Sequence, residues 1–113
     1  MPRDYKLYLE DILEAIEKIQ AYMQDVSFER LQNNKMLQDA ILHNLEIIGE
    51  AAKHVPDVLK AKTSETEWRK IAGLRDIIAH EYFGISMEIV WDILQNKLPE
   101  LRSHVCAFLE EKY

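Results

Sequence analysis

Apolar residues in this chain recur at three- and four-residue steps, and that spacing admits helices and little else. Tyr8, Leu9, Ile12, Leu13, Ile16, Ile19, Tyr22 and Met23 form one stripe, with Glu10, Asp11, Glu14, Glu17 and Lys18 on the opposite face. Asp25-Val26-Ser27 breaks the pattern, and Ser27 has the hydroxyl to cap a short turn over Phe28–Leu31. Asn33 and Asn34 are the next capping candidates. A second stripe then runs through Met36, Leu37, Ala40, Ile41, Leu45, Ile48, Ala51 and Ala52. It is expected to end near His54-Val55, because Pro56 disfavours helix at the residue before it. Gly49 lies inside this helix at a cost of roughly 1 kcal/mol against alanine. Close approach of a neighbouring helix is the packing reason to keep it.

Residues 56–66 are the least periodic, with one short turn after Pro56 and a loop at Thr63-Ser64-Glu65-Thr66. A third helix carries Trp68, Ile71, Ala72, Leu74, Ile77, Ile78 and Ala79, and Gly84 is its expected C-terminal stop. Ser86 caps a fourth through Ile89, Val90, Ile93 and Leu94. Pro99 suits the first turn of a further one holding Leu101, Val105, Phe108 and Leu109. With three glycines and three prolines there is little turn chemistry, and no strand-like alternation appears. The expected architecture is all-α, a bundle of four to five helices. Residues 1–113 make one domain, since this length does not hold two.

Charge narrows the function. A formal net charge of −6 argues against coating nucleic acid by general electrostatics, which needs many Lys and Arg contacts. A phosphate-handling surface must be local, or arise only on assembly. Cys106 is the single cysteine, so no intrachain disulfide forms, which fits a reducing cytoplasm. No apolar run reaches the ~18 residues of a membrane span. Met1-Pro2-Arg3-Asp4-Tyr5 enters the amphipathic pattern without a signal-peptide core. The expectation is a cytoplasmic protein with no membrane partner.

The segment Arg75-Asp76-Ile77-Ile78-Ala79-His80-Glu81-Tyr82 carries more polarity than packing requires of a helix. Asp76 and His80 are four apart and so share a face, where the carboxylate can orient the imidazole and raise its basicity. Free imidazole titrates near ~6.5 and can both take and give a proton. Arg75 offers a permanent charge and a fork that matches two phosphate oxygens. It stands five positions before His80, about 140° round a regular helix. Fraying of the helix end, or a second subunit across a two-fold axis, would bring the two groups together. Plainer roles exist for each residue: a surface pair for Asp76 and His80, a salt bridge from Arg75 to Glu50 or Glu46, a helix C-terminal cation for His80.

Trp68-Arg69-Lys70-Ile71-Ala72-Gly73-Leu74-Arg75-Asp76, followed by His80-Glu81-Tyr82-Phe83-Gly84, resembles the R-x-x-x-x-H-x-Y signature of HepT-like proteins of the HEPN superfamily. Tyr8-Leu9-Glu10-Asp11-Ile12, the segment Asn44 to Ala52, Val90-Trp91-Asp92 and Leu98-Pro99-Glu100-Leu101 extend the likeness over nearly the whole chain. The resemblance implies a helical homodimer acting as a metal-independent ribonuclease toxin, without cofactor. It implies an antitoxin partner, a small nucleotidyltransferase of the MntA kind, that silences the toxin by transferring AMP to the signature tyrosine. On this chain Arg75 and His80 become catalytic, Asp76 the orienting residue, and Tyr82 the modified one. HEPN-type domains also serve as non-catalytic partners that bind nucleotide or substrate beside a nucleotidyltransferase, and a plain structural dimer is a third reading.

The remaining candidates read more blandly. His43, His54, His104 and Cys106 have no metal-ligand spacing, so no metal site is expected. Glu46 and Glu50 read as surface or arginine-pairing acids, and Asn44 and Glu50 as distant candidates to support the signature. Trp68, Trp91, Tyr5, Tyr8 and Tyr22 read as core or interface residues.

Overall fold

The structure, a computed structural model, describes residues 4–62, 66–81 and 84–110. Among them all regular structure is helical: α1 (Tyr5–Tyr22), α2 (Phe28–Asn33), α3 (Lys35–Lys53), α4 (Asp57–Lys62), α5 (Trp68–Glu81), α6 (Met87–Asp92) and α7 (Leu98–Glu110). The long elements form the expected all-α bundle. The short α2 and α4 replace the two turns read from sequence.

Local chemistry sets most boundaries. The Ser27 hydroxyl accepts from the Arg30 amide at 3.1 Å and starts α2. The Asn34 side chain accepts from the Leu37 amide at 3.0 Å and starts α3. Ser86 caps α6 through the Ile89 amide and also donates to the Glu88 carboxylate at 2.7 Å. That last bond holds Glu88 below the usual carboxylate range. Between α1 and α2, Asp25 takes a positive φ of 60°, a conformation that aspartate tolerates better than most residues.

Two boundaries differ from expectation. The fourth and fifth helices are not separated: α6 runs into α7 through a π-helical turn at Ile93–Lys97, closed by the Leu98 amide bonding to the Ile93 carbonyl. A proline in a continuous helix lacks an N–H and crowds the carbonyl four residues back. The wider turn just before Pro99 accommodates both effects. Gly84 does not take the left-handed φ of a glycine stop, since no glycine among the described residues has a positive φ.

The core lies where α1, α3 and α7 meet. Leu9, Ile12, Ile16 and Ile19 of α1 pack with Ile41, Leu45 and Ile48 of α3 and with Val105 and Phe108 of α7. Each such side chain, fully buried, contributes roughly 1.5–3 kcal/mol. Four large members of the sequence stripes lie outside this core. Tyr22 is 42% exposed, Met36 80%, Ile77 53% and Ile89 63%. Their helical phase fits the pattern, but no described element covers them.

α3 is central, with α1 and α5 both packed along it. The α3–α5 contact is close at one point. A Cβ added to Gly49 would lie 2.8 Å from the Arg75 backbone nitrogen and 3.2 Å from the Ile71 carbonyl oxygen. That is the close approach expected of this glycine. Gly49→Ala should therefore lose stability although alanine is the better helix former. Overpacking costs about 1–3 kcal/mol and the propensity gain is about 1 kcal/mol. A lower urea midpoint at unchanged slope is the expected result; a raised midpoint would refute the contact.

Candidate active site

α5 presents the signature residues on two different sides. Because α5 stays α-helical through Glu81, Arg75 and His80 remain about 140° apart around its axis. Fraying before His80 therefore does not bring them together. Arg75 faces α3, and its Nε lies 2.9 Å from Glu50 Oε2. His80 is exposed and has no hydrogen-bond or ion-pair partner among the described residues. Tyr82, the residue marked for modification, lies outside the described residues.

Asp76 is engaged elsewhere than expected. Its Oδ1 accepts from Lys53 Nζ at 3.3 Å and lies 3.7 Å from Arg75 Nη1. No Asp76–His80 hydrogen bond is present in the single chain. Lys53 of α3 reaches the carboxylate across the seam, in a charge-assisted hydrogen bond, which is the stronger kind. Glu50, Arg75, Asp76 and Lys53 thus make an alternating quartet of two acids and two cations across the α3–α5 seam. Glu50 is half exposed, as is Arg75, so solvent and small anions reach both.

The quartet extends along α3. His54 Nε2 lies 3.6 Å from Glu50 Oε1, one helical turn on. The His54 ring stacks on Tyr8 of α1, with centroids 4.7 Å apart and planes 14° from parallel. A line of contacts therefore runs Tyr8–His54–Glu50–Arg75. Neither His54 nor Tyr8 was singled out from sequence as part of the site. The signal was present in the four-residue spacing of Glu50 and His54, whereas the Tyr8 contact is long-range and has no local sign. Asn44 is buried, but its side-chain amide bonds to the Ala40 carbonyl of its own helix at 2.9 Å and so does not reach the signature.

Between α5, α3, the π turn and α7 is an apolar groove of about 370 Å³. Ile48, Ile71, Leu74, Ile77, Ile93 and Leu101 are among the side chains lining it. At its end the Thr66 hydroxyl and His104 Nδ1 share a hydrogen bond. Lys70 and Glu67 at the rim are paired at 2.9 Å, and the Lys70 hydrogen bond and charge hold Glu67 below the usual carboxylate range. Among the described residues no three His, Cys, Asp or Glu side chains come together in a way that could hold a metal ion. No helix among them is long and apolar enough to cross a membrane.

Comparison with known proteins joins this geometry to a family. The family model described as "Ribonuclease HepT-like" matches residues 12–108. A probable ribonuclease HepT of Thermococcus cleftensis is 40% identical, over 90% of this chain and 93% of its own. A protein of Caldanaerobacter subterraneus subsp. tengcongensis, named a putative RNase, is 38% identical over 93% of this chain and 94% of its own. A protein of Methanocaldococcus jannaschii, named as both a gamma-glutamylcyclotransferase and an RNase of that standing, is 36% identical over 98% of this chain. The chain spans only 50% of that last relative. No solved structure matches. The helical fold and the extent of these matches together place the chain in the HepT-like ribonuclease family.

Proposed function

We propose that the protein is a metal-independent endoribonuclease toxin that cleaves tRNA or mRNA as a homodimer, with Arg75 and His80 as its catalytic groups. The observation that carries this reading is the division of labour on α5. Arg75 is held at the α3 seam, and His80 stands exposed on another side of the same helix, with no partner among the described residues. One chain does not bring the two groups to one phosphate. A second chain packed beside Ile77 and His80 would supply the group that one chain keeps apart from its own arginine. Support for that pairing comes from Ile77, which is 53% exposed beside the apolar groove and one turn before His80. Exposed apolar surface of this kind is what a partner subunit covers.

Phosphodiester cleavage in such a cleft follows from the groups available. One His80 removes the proton from the ribose 2′-hydroxyl, and the resulting oxygen attacks the adjacent phosphorus. The bond from phosphorus to the 5′-oxygen breaks, and the second copy's His80 returns a proton to that leaving oxygen. Arg75 stabilises the extra negative charge that develops on the phosphoryl oxygens. The products are a 2′,3′-cyclic phosphate and a 5′-hydroxyl. Asp76 would orient His80 after Lys53 releases it, or act from the second copy.

Control would act through the signature tyrosine. Tyr82 follows His80 by two residues. AMP transferred to its hydroxyl by an MntA-like nucleotidyltransferase antitoxin would add anionic phosphate and bulk at the cleft's edge, repelling an RNA backbone. The competing reading is a non-catalytic module that binds nucleotide or the transferase. It draws on the pairing of Arg75 with Glu50, which leaves the guanidinium already neutralised.

Four outcomes test the proposal. Purified protein is expected to cut labelled tRNA or mRNA, leaving cyclic-phosphate ends. Arg75→Ala and His80→Ala should each lower the rate by about 10²-fold or more, as loss of a charge-stabilising group or a proton-transfer group does. Intact RNA with the wild-type protein would favour the binding module. Ile77→Asp should shift the sedimenting species to monomer and abolish cleavage while the helical spectrum is kept; an active monomer would sink the paired-site scheme. Incubation with the transferase and ATP should raise the mass of the Tyr82 peptide by AMP units, with no change in Tyr82→Phe.

A further inference from the structure

Glu50 is where the fold itself reaches the catalytic arginine. The α3–α5 approach at Gly49 leaves no room for a side chain between that position and the Arg75 backbone. The next residue, Glu50, therefore emerges beside the Arg75 side chain, and its Oε2 lies 2.9 Å from Nε. A guanidinium has five N–H donors in a rigid plane. Glu50 approaches this plane on its Nε side. Nη1 has only Asp76 near it, at 3.7 Å, too far for a hydrogen bond. Among the described residues the Nη1–Nη2 edge is thus left unbonded, and that edge can fork two phosphate oxygens.

Glu50 also has a neighbour on a second side, beyond hydrogen-bond length. His54 approaches its other oxygen at 3.6 Å, and Tyr8 fixes the His54 ring by stacking. A carboxylate so placed holds the guanidinium plane in one orientation without occupying its reactive edge. Stability does not account for this arrangement. Glu50 and Arg75 are each half exposed, and ion pairs of that kind contribute little to folding.

We propose that Glu50 is a positioning residue for Arg75, anchoring Nε so that the Nη edge is preset for a phosphate of the RNA. This rests on the ribonuclease reading above and adds to it a residue outside the signature. The effect is on orientation, so it should appear in turnover rather than in substrate affinity.

The test compares Glu50→Ala and Glu50→Gln with the wild type on one labelled RNA. Glutamine keeps a carbonyl oxygen to accept the Nε hydrogen but carries no charge. Glu50→Ala should lower kcat about tenfold or more with KM within about threefold, and the thermal midpoint should move little. Glu50→Gln should recover most of the lost turnover. Wild-type turnover in Glu50→Ala, or tighter RNA binding with faster cleavage, would overturn the proposal by making Glu50 idle or a competitor for Arg75. The Arg75 Nε–H resonance of the nitrogen-labelled protein supplies a reading independent of catalysis. It should be retained in Glu50→Gln, and altered in Glu50→Ala by loss of its protection from exchange. An unaltered resonance in Glu50→Ala overturns the anchoring whatever the RNA assay gives. A wild-type protein that leaves RNA intact, with the resonance behaving as expected, instead removes the ribonuclease reading and leaves the anchor standing.

Discussion

The contact between α3 and α5 at Gly49 sets the geometry of everything polar in this molecule. A hydrogen in place of a side chain lets the Arg75 backbone come within what would be 2.8 Å of a Cβ. At that separation residues next to the contact cannot avoid one another. Glu50 meets Arg75 and Lys53 meets Asp76, so four charges are arrayed along one seam. The stability of the fold lies elsewhere, in the apolar packing of α1, α3 and α7. The seam is therefore free to be specified by chemistry.

The quartet has no net formal charge: two acids balance two cations. A neutral patch on a chain of net charge −6 attracts RNA weakly at long range. This fits a site that acts by short-range orientation of a few donors. It does not fit a broad basic surface of the kind that gives strong salt dependence. The half exposure of Arg75 and Glu50 points the same way, because solvent screens the pair and keeps its cost to break small. An arriving phosphate can then join Arg75 without first having to break a deeply buried ion pair.

How much of this was legible in the sequence depended on range. Helix phase and caps are local, and the three- and four-residue spacing together with Ser27, Asn34 and Ser86 placed α1, α2, α3 and α6 closely. The role of Gly49 was legible too, since an interior glycine implies a close neighbour. What escaped was decided between elements. Asp76 and His80 have ideal spacing for a pair, yet Lys53, 23 residues earlier, takes the carboxylate. Spacing along one helix carries no information about a competitor on another. Met36, Ile77 and Ile89 keep their apolar phase but are exposed, because the pattern marks a face and does not say what covers it. The π turn before Pro99 joins what Pro99 in a first turn had suggested were two separate helices.

The placement of Arg75 and His80 around α5 bears on why the proposed enzyme would need two subunits. A helix held against α3 along its length cannot rotate to swing Arg75 outward, because Gly49 and Ile71 fix its phase at the seam. Nor does the helix loosen before His80, which keeps the angle between the two groups near its regular value. The arginine is therefore committed to the α3 side and the histidine to the solvent side. Within the proposed dimer this becomes useful: each subunit keeps its arginine oriented by its own Glu50 and offers its histidine to the neighbour. The isolated chain would then bear both catalytic groups without forming the site, and its activity would depend on subunit concentration. A toxin built this way could be silenced by anything that alters the shared edge of the cleft, including a group attached two residues beyond the histidine.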